Sequence, residues 1–169
     1  MPHYPALSVR MSQCLSVIQT AIKILIAAML PLSAASCSMS DDDQPGEDIV
    51  KVGDNIPYFE ITMNDGTQFV STQLGGKPCV VTFFNTTCID CQRELPALNQ
   101  RYQQHGHDTT FVAIARDQAD PEIQDYWHTH NLTLPYSPQP NRTIYNLFAT
   151  QGIPRTYIVN TKGKIVSKN

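Results

Sequence analysis

The sequence predicts a single α/β domain, a central mixed sheet flanked by helices, starting near residue 50. Three observations carry that prediction. Short β-branched and aromatic runs alternate with helical stretches, as in folds that join strands by crossover helices. Residues 78–84 are almost continuously apolar or β-branched, which suits a central strand buried on both faces. A chain of 169 residues is long enough for one hydrophobic core and short for two.

Taken in order, residues 58–63 and 68–71 flank Asn64-Asp65-Gly66, a turn that favours a hairpin and so adds an N-terminal β-hairpin to the domain. The central strand 78–84 follows, then a helix over 89–104 and a second buried strand over 110–115. Residues 121–130 read as a helix with Pro121 in its first turn, where a missing N–H is harmless. A shorter helix is expected over 143–149. Residues 155–160 and 164–167 then form a hairpin around Thr161-Lys162-Gly163.

The residues before the domain divide in two. Residues 1–36 contain an apolar run from Ile24 to Leu32, preceded by Arg10 and Lys23 and followed by small residues. The run is about half the ~20 residues that span a bilayer, so it reads as a secretory signal, with Met11 as a second candidate start. Ala35-Ser36-Cys37 resembles the lipobox of bacterial lipoproteins, which implies lipidation of Cys37 and a lipid anchor to the membrane of the cell envelope. The alternative is cleavage after Ala35, leaving a free Cys37. Residues 37–49, with Asp41-Asp42-Asp43, read as a disordered acidic tether. Such a run beside a lipid cysteine also resembles the export signal of lipoproteins on the outer face of the outer membrane, so both envelope faces stay open. Residues 1–36 carry two positive charges and no negative ones, so cleavage before Cys37 moves the formal charge from −3 to −5. Nothing here offers the basic face that nucleic acid requires.

The chemistry sits in Cys88-Ile89-Asp90-Cys91. Two cysteines three positions apart on the first turn of a helix lie on nearly one face and close a disulfide with little strain. At a helix N-terminus the unpaired N–H groups and the macrodipole favour a thiolate, so Cys88 is the expected nucleophile and Cys91 the resolving thiol. A zinc site shares this spacing but needs four ligands. His105, His107, His128 and His130 read as solvent-facing, Cys79 as a small core residue, and Cys14 as part of the signal.

The run from Phe83 to Pro96, followed by Gly152-Ile153-Pro154-Arg155-Thr156-Tyr157-Ile158-Val159-Asn160 and Gly163, resembles the TlpA/ResA-type thiol-disulfide oxidoreductases. The resemblance covers roughly residues 50–168 and implies a thioredoxin-like fold. It implies that Pro154 is a cis proline against the disulfide and that the backbone of Ile153 binds an extended substrate segment. It further implies that Pro96 kinks the helix and that Glu94 manages the proton of Cys91. The redox centre would be the Cys88–Cys91 disulfide itself, with no dissociable cofactor. A disulfide-containing protein substrate and a membrane thiol-disulfide electron donor are the implied partners. In folds of this type a last helix follows the final hairpin; it is missing before Asn169, which suggests a truncated or degenerate C-terminus and an uncovered apolar sheet face.

Two departures from the family pattern bear on function. Thr87 stands where the family usually has tryptophan. Asp90 places a carboxylate between the cysteines, which should disfavour the thiolate and tilt the pair towards reduction. A peroxiredoxin needs Pro-X-X-X-Thr-X-X-Cys, whereas Val81 and Asn85 occupy those positions. A copper-delivering module and a degenerate, inactive surface lipoprotein are the other readings.

Overall fold

A computed structural model describes residues 47–169. The expected signal segment, Cys37 and the acidic run up to Gly46 lie outside the described residues. The last three residues of the expected tether belong to the domain. Glu47 exchanges hydrogen bonds with Thr150, the Ile49 N–H donates to the Phe148 carbonyl (2.9 Å), and Asp48 takes ion pairs from Arg155 and Lys168. An acidic residue expected to be solvated is thus spent on two cations.

Strands β1 (Glu60–Thr62) and β2 (Gln68–Val70) form the expected antiparallel hairpin. Its turn needs Gly66 at φ +83, and Asp65 Oδ1 accepts from both the Thr67 N–H (2.9 Å) and its hydroxyl (2.7 Å). The main sheet comprises β3 (Cys79–Phe84), β4 (Thr110–Ala115), β5 (Tyr136–Ser137), β6 (Arg155–Val159) and β7 (Ile165–Lys168). Their order is β5-β4-β3-β6-β7, with β3, β4 and β5 parallel and β6 and β7 antiparallel to their neighbours. Helix α1 (Ile89–His105) joins β3 to β4, and α2 (Asp120–Thr129) leads from β4 towards β5.

The two crossovers step in the same direction across the sheet, and because such connections are right-handed both helices must share one face. The side chains agree. On that face Phe84 stacks on Trp127 of α2 (4.9 Å between centroids), and Phe111 meets Tyr102 of α1 (5.8 Å). On the other face Phe83 is fully buried in an aromatic cluster with Tyr145, Phe148 and Tyr157. Burial of these rings is the main drive for the two layers. Asn99 of α1 is buried for a polar reason: its Oδ1 accepts from the N–H groups of Thr133 (2.7 Å) and Leu134 (2.9 Å), fixing the approach to β5.

Two elements differ from expectation. Residues 143–149 hold only a single 3-10 turn, Tyr145–Leu147, because the aromatic cluster captures Tyr145 and Phe148 before a helix can lengthen. β5 was not expected; it is two residues long, between Pro135 and Pro138, and tertiary pairing with Ala113 and Ile114 creates it. Beside α1, an open groove of about 430 Å³ is lined by Val80, Leu98, Phe111 and Ile158 on its apolar side. Among the described residues no helix is long and apolar enough to cross a membrane.

Candidate active site

β3 is central and parallel to β4, so its carboxyl end opens where the chain turns into α1, the usual location of sites in such sheets. Asn85, Thr86 and Thr87 make that turn, and every one of them is fastened. Asn85 Oδ1 accepts from the Thr87 N–H (2.9 Å) and hydroxyl (2.8 Å), while its Nδ2 donates to the Arg116 carbonyl (3.2 Å). The Thr86 N–H donates to Gln118 Oε1 (2.9 Å), and the Thr86 carbonyl accepts from Gln92 Nε2 (2.8 Å). Thr87 is exposed and folded back onto Asn85, so it offers a small polar edge beside the first cysteine.

Cys88 is the N-cap of α1, and its sulfur receives the Cys91 N–H at 3.5 Å. Cys88 is half-buried and Cys91 fully buried. The Ile153–Pro154 peptide bond is cis, and the Ile153 carbonyl accepts from the Cys88 thiol at 3.6 Å. Gly152, at φ +86, makes the turn into this loop, and its carbonyl is held by the Tyr145 hydroxyl (2.7 Å). Residues 65 positions apart in sequence therefore meet at one sulfur. Ile89, next to Cys88, is 63% exposed and gives the rim an apolar contact surface.

Burial raises the Cys91 thiol well above its ordinary range; the Asn85 N–H and the Arg116 charge oppose that rise, and Cys88 adds to it. Asp90 does not act as the sequence suggested. Its carboxylate is exposed and paired outward with the Arg93 guanidinium at 2.9 Å, and burial, not Asp90, is the main cause that raises Cys91. Glu94 is half-buried, one turn after Cys91, and its Oε1 accepts from the Thr156 hydroxyl (3.1 Å), which also pairs with the buried Thr82 hydroxyl (3.0 Å). α1 remains one element through Pro96, whose missing N–H leaves the Gln92 carbonyl without its helical donor. Cys79 is buried and its thiol is pushed up to about 12, which makes it inert at neutral pH. Among the described residues no three His, Cys, Asp or Glu side chains converge as metal ligands; His130 stacks on Tyr126 and His107 lies by Asp108.

The sequence did not point to Arg116, Gln118, Thr82 or Thr156. Polar residues after a strand, or alternating within one, are ordinarily read as solvated. Only the β3–β4 and β3–β6 registers bring them to the turn before Cys88 and to Glu94.

A sequence profile of the AhpC/TSA family matches residues 52–168. The chain belongs to that family. It is similar to the thiol-disulfide oxidoreductase ResA of Oceanobacillus iheyensis, 26% identical over 147 residues that cover 84% of this chain and 73% of that protein. To ResA of Bacillus anthracis it is 22% identical over 120 residues, covering 70% and 69%. Among solved structures it is similar to a putative protein disulfide isomerase from Bacteroides thetaiotaomicron, at TM-score 0.70 and 27% identity, covering 75% of this chain and 82% of that one. A thioredoxin family thiol:disulfide interchange protein from Chlorobium tepidum matches at TM-score 0.61 and 25% identity, covering 71% and 87%. The fold is thioredoxin-like, and within the family the chain is of the TlpA/ResA type.

Proposed function

We propose that this thiol-disulfide oxidoreductase of the thioredoxin family works outside the cytoplasm as a protein-disulfide reductase, through Cys88 and Cys91. The observation that carries this reading is one sulfur with two neighbours: Cys88 caps α1 and faces the carbonyl of Ile153 beside cis Pro154. The Cys88 thiolate attacks a substrate disulfide and releases one substrate thiolate. The extended substrate segment lies along Ile153, over the rim made by Ile89. The Cys91 thiolate then attacks the Cys88 sulfur, the mixed disulfide breaks, and the second substrate sulfur leaves reduced. Two electrons have passed from the dithiol to the substrate, and the protein holds the Cys88–Cys91 disulfide. Glu94, steadied by Thr156, takes the Cys91 proton.

The reducing direction rests on the burial of Cys91. A thiol held above its ordinary range does not stabilise the reduced pair, unlike the strongly oxidising members of this fold, whose reduced form is stabilised. Disulfide-containing proteins are the substrates, and a membrane thiol-disulfide donor returns the pair to the dithiol. Lipidated Cys37 anchors the domain in the bacterial envelope, the placement that the signal-like residues 1–36 support. Insulin-disulfide reduction driven by dithiothreitol tests the activity: the wild type should accelerate it, and Cys88→Ser should abolish the acceleration. Equal rates for wild type and Cys88→Ser would reject the reading. Incorporation of a clickable palmitate, lost in Cys37→Ala, tests the anchor.

A further inference from the structure

The chain enters the domain as a strap laid along the segment that leads to the cis-proline loop. Asp48 bridges antiparallel to Ala149, the Ile49 and Val50 N–H groups both donate to the Phe148 carbonyl (2.9 and 3.2 Å), and the Thr150 N–H donates to the Glu47 carbonyl (3.0 Å). Phe148, Ala149 and Thr150, fixed by these bonds, run straight into Gln151, Gly152 and Ile153, the residue whose carbonyl meets the Cys88 thiol. Side chains continue the fastening. Arg155 Nε is shared between the carbonyls of Gln151 (2.9 Å) and Gly152 (3.1 Å), while its Nη1 donates to Asp48 Oδ1. The guanidinium lies so close to the loop that a methyl group on Gly152 would stand 3.4 Å from Nη2. A guanidinium is a rigid planar fork, so the carboxylate that fixes one end of it also aims the other. Both side chains are largely buried, 14% exposed for Arg155 and 23% for Asp48, so water and salt screen the pair little. Asp48 Oδ2 holds a second cation, Lys168 on the edge strand β7, whose ammonium is given to Asp48 rather than to the loop.

We propose that Asp48 is a positioning residue for substrate binding: by locking the Arg155 fork onto the Gln151 and Gly152 carbonyls, it sets the Ile153 backbone on which an extended substrate segment lies. The inference rests on the role given above to Ile153 and adds to it the two residues that hold its loop in place. Neither side chain touches the reacting sulfurs, so the pair acts on affinity and leaves the chemical step alone. A substrate that offers a disulfide but no extended backbone gains nothing from a placed Ile153. The dependence therefore belongs to KM for a protein disulfide, the signature of lost uniform binding, and is missing for a small disulfide.

The test uses the full chain carrying Cys14→Ser and Cys37→Ser. Insulin reduction driven by dithiothreitol is followed over a range of insulin concentrations, and the reaction of the reduced chain with dithiobis-nitrobenzoate, followed by stopped-flow absorbance, serves as the small-disulfide control. Asp48→Asn should raise KM for insulin by about fivefold, the worth of one net hydrogen bond, with kcat within about twofold. Arg155→Lys keeps the charge but loses the fork, and should raise KM to a similar degree. Asp48→Glu keeps the carboxylate and should recover most of the loss, while Lys168→Met, which breaks the other ion pair on Asp48, should leave KM as in wild type. The small-disulfide rate should stay within about twofold in every variant. A wild-type KM in Asp48→Asn overturns the inference. So does a rise in Lys168→Met equal to that in Asp48→Asn, or an equal loss of the insulin and small-disulfide reactions, either of which makes the cluster a structural clamp. A wild type that leaves insulin oxidised while it reacts with dithiobis-nitrobenzoate overturns the protein-disulfide reading itself and the inference with it.

Discussion

Thr156 bridges Thr82 and Glu94, and its replacement by valine removes a hydroxyl at nearly constant volume. No cavity opens, so the cost is that of the broken hydrogen bonds alone. Thr82 is 1% exposed, and its hydroxyl loses the partner at 3.0 Å. A buried polar group without a partner costs about 1–3 kcal/mol, so Thr156→Val should lose about 2 kcal/mol. Thr82→Val should lose less, about 1 kcal/mol, because the Thr156 hydroxyl keeps its bond to Glu94. The double variant replaces both partners with apolar groups of the same shape, a change that is close to neutral between them. Its total loss should therefore be about 1 kcal/mol, that of the missing bond to Glu94, rather than the roughly 3 kcal/mol of two independent sites. Urea unfolding followed by Trp127 fluorescence measures all three against wild type, at unchanged slope. Additivity to within about 0.5 kcal/mol would refute the bridge.

Other consequences are equally concrete. When the reduced chain is mixed with dithiobis-nitrobenzoate, Cys88 attack releases a first nitrothiobenzoate and Cys91 attack on the mixed disulfide a second; Glu94→Gln should slow the second release by about 10²-fold, the lower end of what a positioned proton acceptor contributes, while leaving the first release and the unfolding midpoint nearly unchanged. Cys79 is raised by burial from 9.0 to about 12, so the folded chain keeps a proton that the unfolded chain loses between those values. Its contribution to stability is complete below pH 9 and is lost as the pH rises towards 12; the urea midpoint should fall across that window, and less steeply in Cys79→Ala. At pH 8 iodoacetamide should label Cys79 only after unfolding, as peptide mass spectrometry would read directly. Phe83→Leu should cost about 1–3 kcal/mol in thermal unfolding, because Phe83 is fully buried among Tyr145, Phe148 and Tyr157.

What the sequence made legible was what local pattern decides. β3 and β4 announce themselves as apolar runs, α1 by the cysteine turn and the helical spacing after it, and the two hairpins by Asp65-Gly66 and Thr161-Lys162-Gly163. The cysteine pair and Ile153-Pro154 are legible as motifs. Elements made by distant partners are not: β5 exists because Ala113 and Ile114 offer it an edge, and the aromatic cluster cuts the expected helix at 143–149 to one turn. The site divides in the same way. Cys88, Cys91 and Glu94 lie on one helix and can be read from spacing. Arg116 reaches the turn before Cys88, and Thr156 reaches Glu94, only across strand registers, and the sequence gives no reason to expect a buried arginine after Ala115. Asp90 shows the converse error, since adjacency to the cysteines suggested an influence that its outward pairing with Arg93 removes.

If Cys88 attacks and Cys91 resolves, removal of Cys91 must strand the substrate on Cys88. Cys91→Ser, reduced and then exposed to a disulfide-bonded protein such as insulin, should accumulate a mixed disulfide that dithiothreitol releases. Peptide mass spectrometry should place that bond on Cys88. An adduct on Cys79, or none on Cys88 under conditions where the wild type turns over, would overturn these roles.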